Sequence, residues 1–275
     1  MTGSLRDPVF SGTFYPHNPS DLLHQITTFS KISKDQPLDI ISTIRACICP
    51  HAGYTYCGQT MAHSLSHIQY DQFDTVLIMG PSHRYGFDGV SVNTVSAYRT
   101  PLGDMPVQTS IVESLLTHSF INFHELAHQQ EHSIEVILPF IQSKAHSDLT
   151  LIPMIVGQLD ISQIQDLVRM ILSTCQMDRT LVVASSDFSH FFSYDEACRM
   201  DQEAIRCIED WQLDDLYHKG RNREIEMCGL YPILMTSYLM KQLNYSRIKP
   251  LHYCNSGDVT HDKDSVVGYA SMIYY

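Results

Sequence analysis

The sequence predicts a single α/β domain with a mainly parallel or mixed central sheet and helices on both faces. Three observations carry this. Apolar runs of strand length alternate with segments of helical period, the pattern of parallel strands joined by crossover helices. Several runs are continuously apolar rather than alternating, as in strands buried on both faces. Three of them end directly on a turn bearing a histidine: 44–49 runs into Pro50-His51-Ala52-Gly53, 75–79 into Gly80-Pro81-Ser82-His83, and 181–184 into Ser185-Ser186-Asp187-Phe188-Ser189-His190. In open α/β sheets, ligands bind in the crevice outside the carboxyl ends of the strands, so one edge is expected to gather all three histidines.

Taken in order, Val9-Phe10-Ser11-Gly12-Thr13-Phe14-Tyr15-Pro16 is aromatic and turn-rich. The Ser20 cap and early Asp21 in Asn18-Pro19-Ser20-Asp21-Leu22 predict a helix over 20–32. A loop is expected over 33–39, a strand over 44–49, a helix over 58–68 and a strand over 74–79. Residues 90–94 read as a strand, 98–104 as a loop and 107–118 as a helix. Apolar residues at Ile134, Ile137, Leu138 and Ile141 have helical spacing and predict a helix over 131–142. A strand at 149–156, a helix at 161–172 and a strand at 180–184 follow, then two or three helices between 194 and 243, and strands at 248–253 and 266–275. No linker, internal repeat or low-complexity stretch interrupts this, so residues 1–275 are expected to form one domain.

Composition excludes several functional classes. A hydrophobic fraction of 44% and a charged fraction of 17% describe a globular chain. No apolar run reaches the roughly 18 residues of a spanning helix, so no membrane partner is expected. Met1-Thr2-Gly3-Ser4-Leu5-Arg6-Asp7 lacks the apolar core of a secretory signal, which points to a cytoplasmic protein. A formal charge of -12 argues against nucleic acid, which needs clustered Lys and Arg. The eight cysteines include no Cys-x-x-Cys pair, and Cys47, Cys49 and Cys175 sit inside apolar runs, so most are expected to be reduced core residues.

Among candidate site residues, His51 and His83 leave the same sheet edge and suit a shared metal, since neutral imidazole binds zinc, iron and copper. Two hydrogen-bonded loop histidines would give the same pattern. Asp187 and His190, three residues apart on one turn, suit proton transfer beside a metal, or else a helix-capping acid with an incidental histidine. A Ser-His-Asp hydrolase lacks its Gly-x-Ser-x-Gly elbow. Cys228 lies just before an apolar helix, where the helix dipole favours the thiolate that binds metal. His124-Glu125-Leu126-Ala127-His128 matches the zinc-protease pattern, and His132 adds a third histidine. Ligands at i, i+4 and i+8 along a straight helix span about 12 Å, too far for one ion, so this match is expected to be a chance one.

Together these strings resemble the Memo family, metal-binding relatives of the class III extradiol ring-cleaving dioxygenases. The matching pieces run in family order over nearly the whole chain. They are Gly12-Thr13-Phe14-Tyr15-Pro16, Pro50-His51-Ala52-Gly53-Tyr54-Thr55-Tyr56-Cys57-Gly58, Gly80-Pro81-Ser82-His83, Tyr98-Arg99-Thr100-Pro101-Leu102, Glu131-His132-Ser133-Ile134-Glu135, Ser185-Ser186-Asp187-Phe188-Ser189-His190, Met227-Cys228-Gly229 and Ser265-Val266-Val267-Gly268-Tyr269-Ala270. The resemblance implies a class III extradiol dioxygenase-like fold, with metal ligands His51, His83 and Cys228. Asp187 and His190 would line the pocket as acid/base residues, and His132 would be a further pocket residue. A thiolate stands where the dioxygenases have a carboxylate, which shifts metal preference towards copper or zinc and alters the potential of iron. Leu230 and Tyr231 stand where the vertebrate member has Arg-His.

The function expected is therefore an iron- or copper-dependent redox enzyme, with zinc as a third candidate, acting on an unidentified small molecule. In it His190, held by Asp187, moves a proton. The alternatives are metal handling without turnover, or a module that binds a peptide or protein partner through an aromatic rim of Tyr15, Tyr54 and Tyr56. Cell-motility signalling in the vertebrate member and radical-SAM neighbours in prokaryotes, both known of the family, motivate the partner reading.

Overall fold

The computed structural model describes residues 4–35, 38, 40 and 42–275. Parts of the expected 33–39 loop and of the N-terminal stretch 1–7 thus lie outside the described residues. The strands are β1 (Leu5–Arg6), β2 (Ala46–Cys49), β3 (Thr75–Pro81), β4 (Val90–Val92), β5 (Ala97–Thr100), β6 (Gly103–Pro106), β7 (Ile121–Asn122), β8 (Thr150–Val156), β9 (Thr180–Ser185), β10 (His190–Phe192), β11 (Ile248–Asn255) and β12 (Val266–Tyr274). The main sheet has nine strands in the order β10-β12-β2-β9-β3-β8-β4-β7, with β11 also paired to β12. Its centre, β2, β9, β3 and β8, is parallel, while β12 joins β2 and β4 joins β8 antiparallel. The sheet is mixed around a parallel heart, and β1, β5 and β6 form a small satellite sheet.

The continuously apolar runs are strands covered on both faces: all four residues of β2 and all seven of β3 are buried. The helices, in chain order, are α1 (Pro19–Lys34), α2 (Tyr54–Leu65), α3 (Thr109–Leu115), α4 (Glu125–Gln129), α5 (Leu138–Gln142), α6 (Ile161–Thr174), α7 (Tyr194–Glu209), α8 (Leu213–Arg221), α9 (Leu230–Gln242) and α10 (Ser256–Thr260). α2 packs on β2, β11 and β12 with α1 outside it, and α9 packs on β2, β3 and β9 with α6 and α8. No helix among the described residues is long and apolar enough to cross a membrane.

Three expectations need correction. The first helix is capped by Asn18, whose side chain accepts from the Ser20 and Asp21 amides, and not by Ser20. Residues 98–104 are a hairpin rather than a loop, because Tyr98 buries its ring and β5 pairs with β6 around Pro101-Leu102. The expected 131–142 helix is helical only over Leu138–Gln142. Pro139 has no amide to donate to the Glu135 carbonyl, so residues 133–137 form successive turns with every apolar side chain buried.

A buried ion pair fastens the N-terminal strand to this irregular stretch. Arg6 donates to Glu135 Oε2 at 2.7 Å, to the Glu131 carbonyl at 2.7 Å and to the His128 carbonyl at 3.1 Å. Glu135 also accepts from the Val9 and Phe10 amides and from the Tyr15 hydroxyl. Every polar atom of the pair that needs a partner has one, which a buried ion pair requires if it is not to destabilise the fold. Removing Arg6 would leave the Glu135 charge buried and two carbonyls unpaired. Arg6→Ala is expected to lower unfolding free energy by about 3 kcal/mol in urea titration, and a loss under about 1 kcal/mol would refute this role.

Two histidines of the interior make the fold acid-sensitive. Burial, reinforced by the Arg6 charge, pushes His128 down to about 3, and burial, with His252 and His67 nearby, pushes His63 down to about 4. Both stay neutral in the folded chain and take a proton on unfolding below about 6.5. Their contribution is thus fully present above about 6.5 and is lost as pH falls from there towards 4, by about 1.4 kcal/mol per pH unit for each. The urea midpoint is expected to fall steadily between pH 6.5 and 4.5; a flat profile would contradict it.

Candidate metal centre

The parallel heart of the sheet places the site. β2, β3 and β9 run in register side by side, so the turns after Cys49, Pro81 and Ser185 emerge together. His51 comes from the first and is fully buried. Its amide donates to Asp187 Oδ1 at 2.8 Å, and its Nδ1 lies 2.6 Å from Ser185 Oγ. The Ser185 hydroxyl spends its one proton on the Ser133 carbonyl at 2.5 Å. It therefore accepts from Nδ1–H of His51, which leaves Nε2 unprotonated, with its lone pair towards the Cys228 sulfur at 3.3 Å. Burial, with His83 beside it, holds His51 well below the usual histidine range, so the ring is neutral.

His83 and His132 are brought together by Glu131. One carboxylate accepts from the His83 amide (2.7 Å), His83 Nδ1 (2.8 Å), the His132 amide (2.9 Å) and the Ser133 amide (2.9 Å). Burial acts to raise this carboxyl, but the hydrogen bonds and charge of His83 outweigh it and bring it to about 2. Burial, then His51 and His83, push His132 down to about 3. Gly80 is required here, because a β-carbon would collide with the Ser133 side chain and force the two segments apart. The His83 and His132 rings stack at 4.4 Å between centroids, and His51 stands edge-on to both, at 5.1 and 5.2 Å. One donor atom from each of His51, His83 and His132 lies within 4.8 Å of the others, a group that could hold a metal ion.

His132, expected only as a pocket residue, is thus the third member of the histidine group. Cys228 stands next to it: its Sγ is 3.3 Å from His51 Nε2, and it accepts from the Asp187 amide at 3.2 Å. It does sit just before α9, beyond the cap residue Gly229, but burial and the Asp187 charge push its thiol up, against the expected dipole effect. A β-carbon at Gly229 would strike the Ser185 carbonyl and the Ser186 side chain, so only glycine brings Cys228 this close. Asp187 lends its carboxylate to the His51 amide and does not hold His190. The carboxylate beside His190 is Glu226, whose Oε1 lies 3.4 Å from Nδ1.

The zinc-protease match is not a metal site. α4 has only five residues, and His128 turns Nε2 to Ser91 Oγ (3.0 Å) and Nδ1 to the Tyr98 hydroxyl (3.3 Å). His124 packs on Tyr85 and Phe87. Sequence reasoning missed the roles of Glu131, Ser185 and Glu226; the one available signal was an acid directly preceding a site histidine in Glu131-His132.

A cavity of about 480 Å³ opens beside the histidines, with His132, Asp187 and His190 among its walls. Tyr15 and Tyr54, expected on an aromatic rim, are core residues whose hydroxyls donate to Glu135 and to the Val136 carbonyl. The rim is formed instead by Tyr56 and Phe191. The described cysteines are all free, five of them buried.

Comparison with known proteins agrees with this architecture. The family model described as Memo-like protein matches residues 6–273. Among curated relatives, a MEMO1 family protein of Methanosarcina mazei is 33% identical over 272 residues, covering 98% of each chain. Those of Aquifex aeolicus (31% over 273 residues) and Desulfurococcus amylolyticus (34% over 280 residues) each align with 98% of this chain and 99% of their own length. A histidine group at the parallel strand ends and a family match spanning nearly every residue lead to one conclusion: this chain belongs to the Memo family.

Proposed function

We propose that the protein binds one iron or copper ion on His51, His83 and His132, beside Cys228, and uses it in a redox reaction on a small molecule held in the adjoining cavity. The observation that carries this reading is the grouping of the imidazoles: Ser185 and Glu131 accept hydrogen bonds from Nδ1 of His51 and His83, and one donor atom of each of the three rings lies within 4.8 Å of the others. Partners of this kind orient metal-bound histidines and raise their basicity. Metal–nitrogen bonds of about 2.0–2.1 Å would draw the three donors closer than the 4.8 Å within which they now lie. Once bound, the ion would supply a redox centre and a Lewis acid; the chain's own residues do the rest. Cys228 offers a soft donor next to His51, which favours copper or iron over a hard cation. His190, half-buried on the cavity wall and turned towards Glu226, is placed to exchange a proton between a bound molecule and solvent. Three imidazole donors also suit zinc, which is the second reading of this donor set.

Elemental analysis of protein purified without added metal or chelator tests this. Near-stoichiometric iron or copper is expected, falling at least tenfold in His51→Ala and His132→Ala, as complete loss of one of three ligands should produce. Metal unchanged in both variants would sink the assignment, and stoichiometric zinc alone would replace the redox reading. Glu131→Gln, which keeps the size of the side chain but removes its charge, is expected to weaken metal affinity about 10- to 100-fold, read by competition with a chromogenic chelator. Unchanged affinity would mean that Glu131 does not support the ligands.

A further inference from the structure

We infer that the cavity beside the histidines takes a small cationic aromatic amine, with Phe191 and Tyr56 clasping its ring at the mouth. The inference rests on the reading of this cavity as the substrate site and names the chemical class it selects. Phe191 is the most exposed large hydrophobic side chain among the described residues, at 77%, and Tyr56 is 43% exposed. Phe191 is also held at φ 67°, a left-handed conformation that a bulky residue rarely adopts. The pairing of β10 with β12 shifts register between His190 and Phe192, a bulge of the kind that re-aims a side chain. The Phe191 ring lies 5.9 Å from that of His190 on the cavity wall, and strain combined with exposed apolar surface clusters where a ligand is bound.

The walls specify the rest. Phe14 and Tyr269 add two more rings, so a planar group meets aromatic surface inside the cavity as well as at its rim. The acids on the lining are Asp187 and Asp262, and no Lys or Arg lines it. The nearby Lys263 lays its Nζ over the Tyr194 ring at 4.3 Å. Aromatic faces and carboxylates both attract an organic cation and both repel a phosphate or carboxylate. A volume of about 480 Å³ lies in the range of small-molecule sites.

Calorimetric titration of the metal-free protein tests this with tyramine, 4-hydroxyphenylacetate, which replaces the ammonium by a carboxylate, and O-phosphotyrosine. Tyramine is expected to bind about tenfold or more tightly than either anion. Phe191→Gly is expected to weaken tyramine about fivefold or more with Tm unchanged or raised, because glycine accepts the left-handed conformation without strain. Asp262→Asn should narrow the preference for the amine. Equal or tighter binding of either anion would overturn the inference, as would wild-type affinity in Phe191→Gly. If the purified protein carries metal but tyramine does not bind, this inference fails alone; if tyramine binds and no metal is found, the redox reading fails alone.

Discussion

The site depends on one buried carboxylate. Glu131 accepts four hydrogen bonds, two from His83 and two from the amides that begin the next segment. Without it, the β3 turn and the 131–137 stretch would be neighbours with no fixed register, and the stacked His83 and His132 rings would have no reason to face His51. A carboxylate with so many donors stays ionised even when buried, because each donor replaces part of the hydration it gave up. Its charge pulls the neighbouring imidazoles towards protonation, and burial outweighs that pull at His51 and His132.

Glu135, one turn further on, extends the same principle outward. Arg6 and Tyr15 tie the N-terminal segment to it, so residues distant in sequence converge on the stretch that carries His132. The segment cannot be a regular helix, since Pro139 interrupts it, and its backbone is instead held by side chains: Ser133 Oγ donates to the Pro81 carbonyl and Tyr54 donates to Val136. Irregular backbone supported in this way presents His132 stacked on His83 and edge-on to His51. The aromatic surface against His132, Phe10 and Phe14, comes from the same N-terminal segment.

The histidines of the candidate metal group and those that fill space differ in what their ring nitrogens face. His128 has both nitrogens engaged by Ser91 and Tyr98 inside the protein, so no lone pair is left for an ion. His51 and His83 each engage Nδ1 with a fixed partner, and Nε2 of His51 meets the Cys228 sulfur at 3.3 Å. Motif spacing does not carry this distinction, which is why His124 to His128 imitates a protease and the residues of the histidine group, scattered over 82 positions of sequence, imitate nothing.

The fold class, the strand order of local signals and the histidines at the strand ends were legible in the sequence, because each follows from local hydrophobic period and from where an apolar run stops. His51 and His83 could be placed at one edge for that reason, Asp187, His190 and Cys228 stood out by their places on a turn and before a helix, and the Memo-like strings implied that these and His132 share one pocket. Which of these meet could not be read from local pattern. His132 joins the group and Asp187 serves the His51 backbone, while Glu226 takes the place beside His190. The rim tyrosines went wrong for the same cause: Tyr15 and Tyr54 turn inward to hydroxyl partners more than 80 residues away. Period and turn chemistry are properties of neighbours along the chain and so belong to the sequence; ligand grouping, ring orientation and the charge state of buried groups depend on contacts across it, which only the tertiary structure decides.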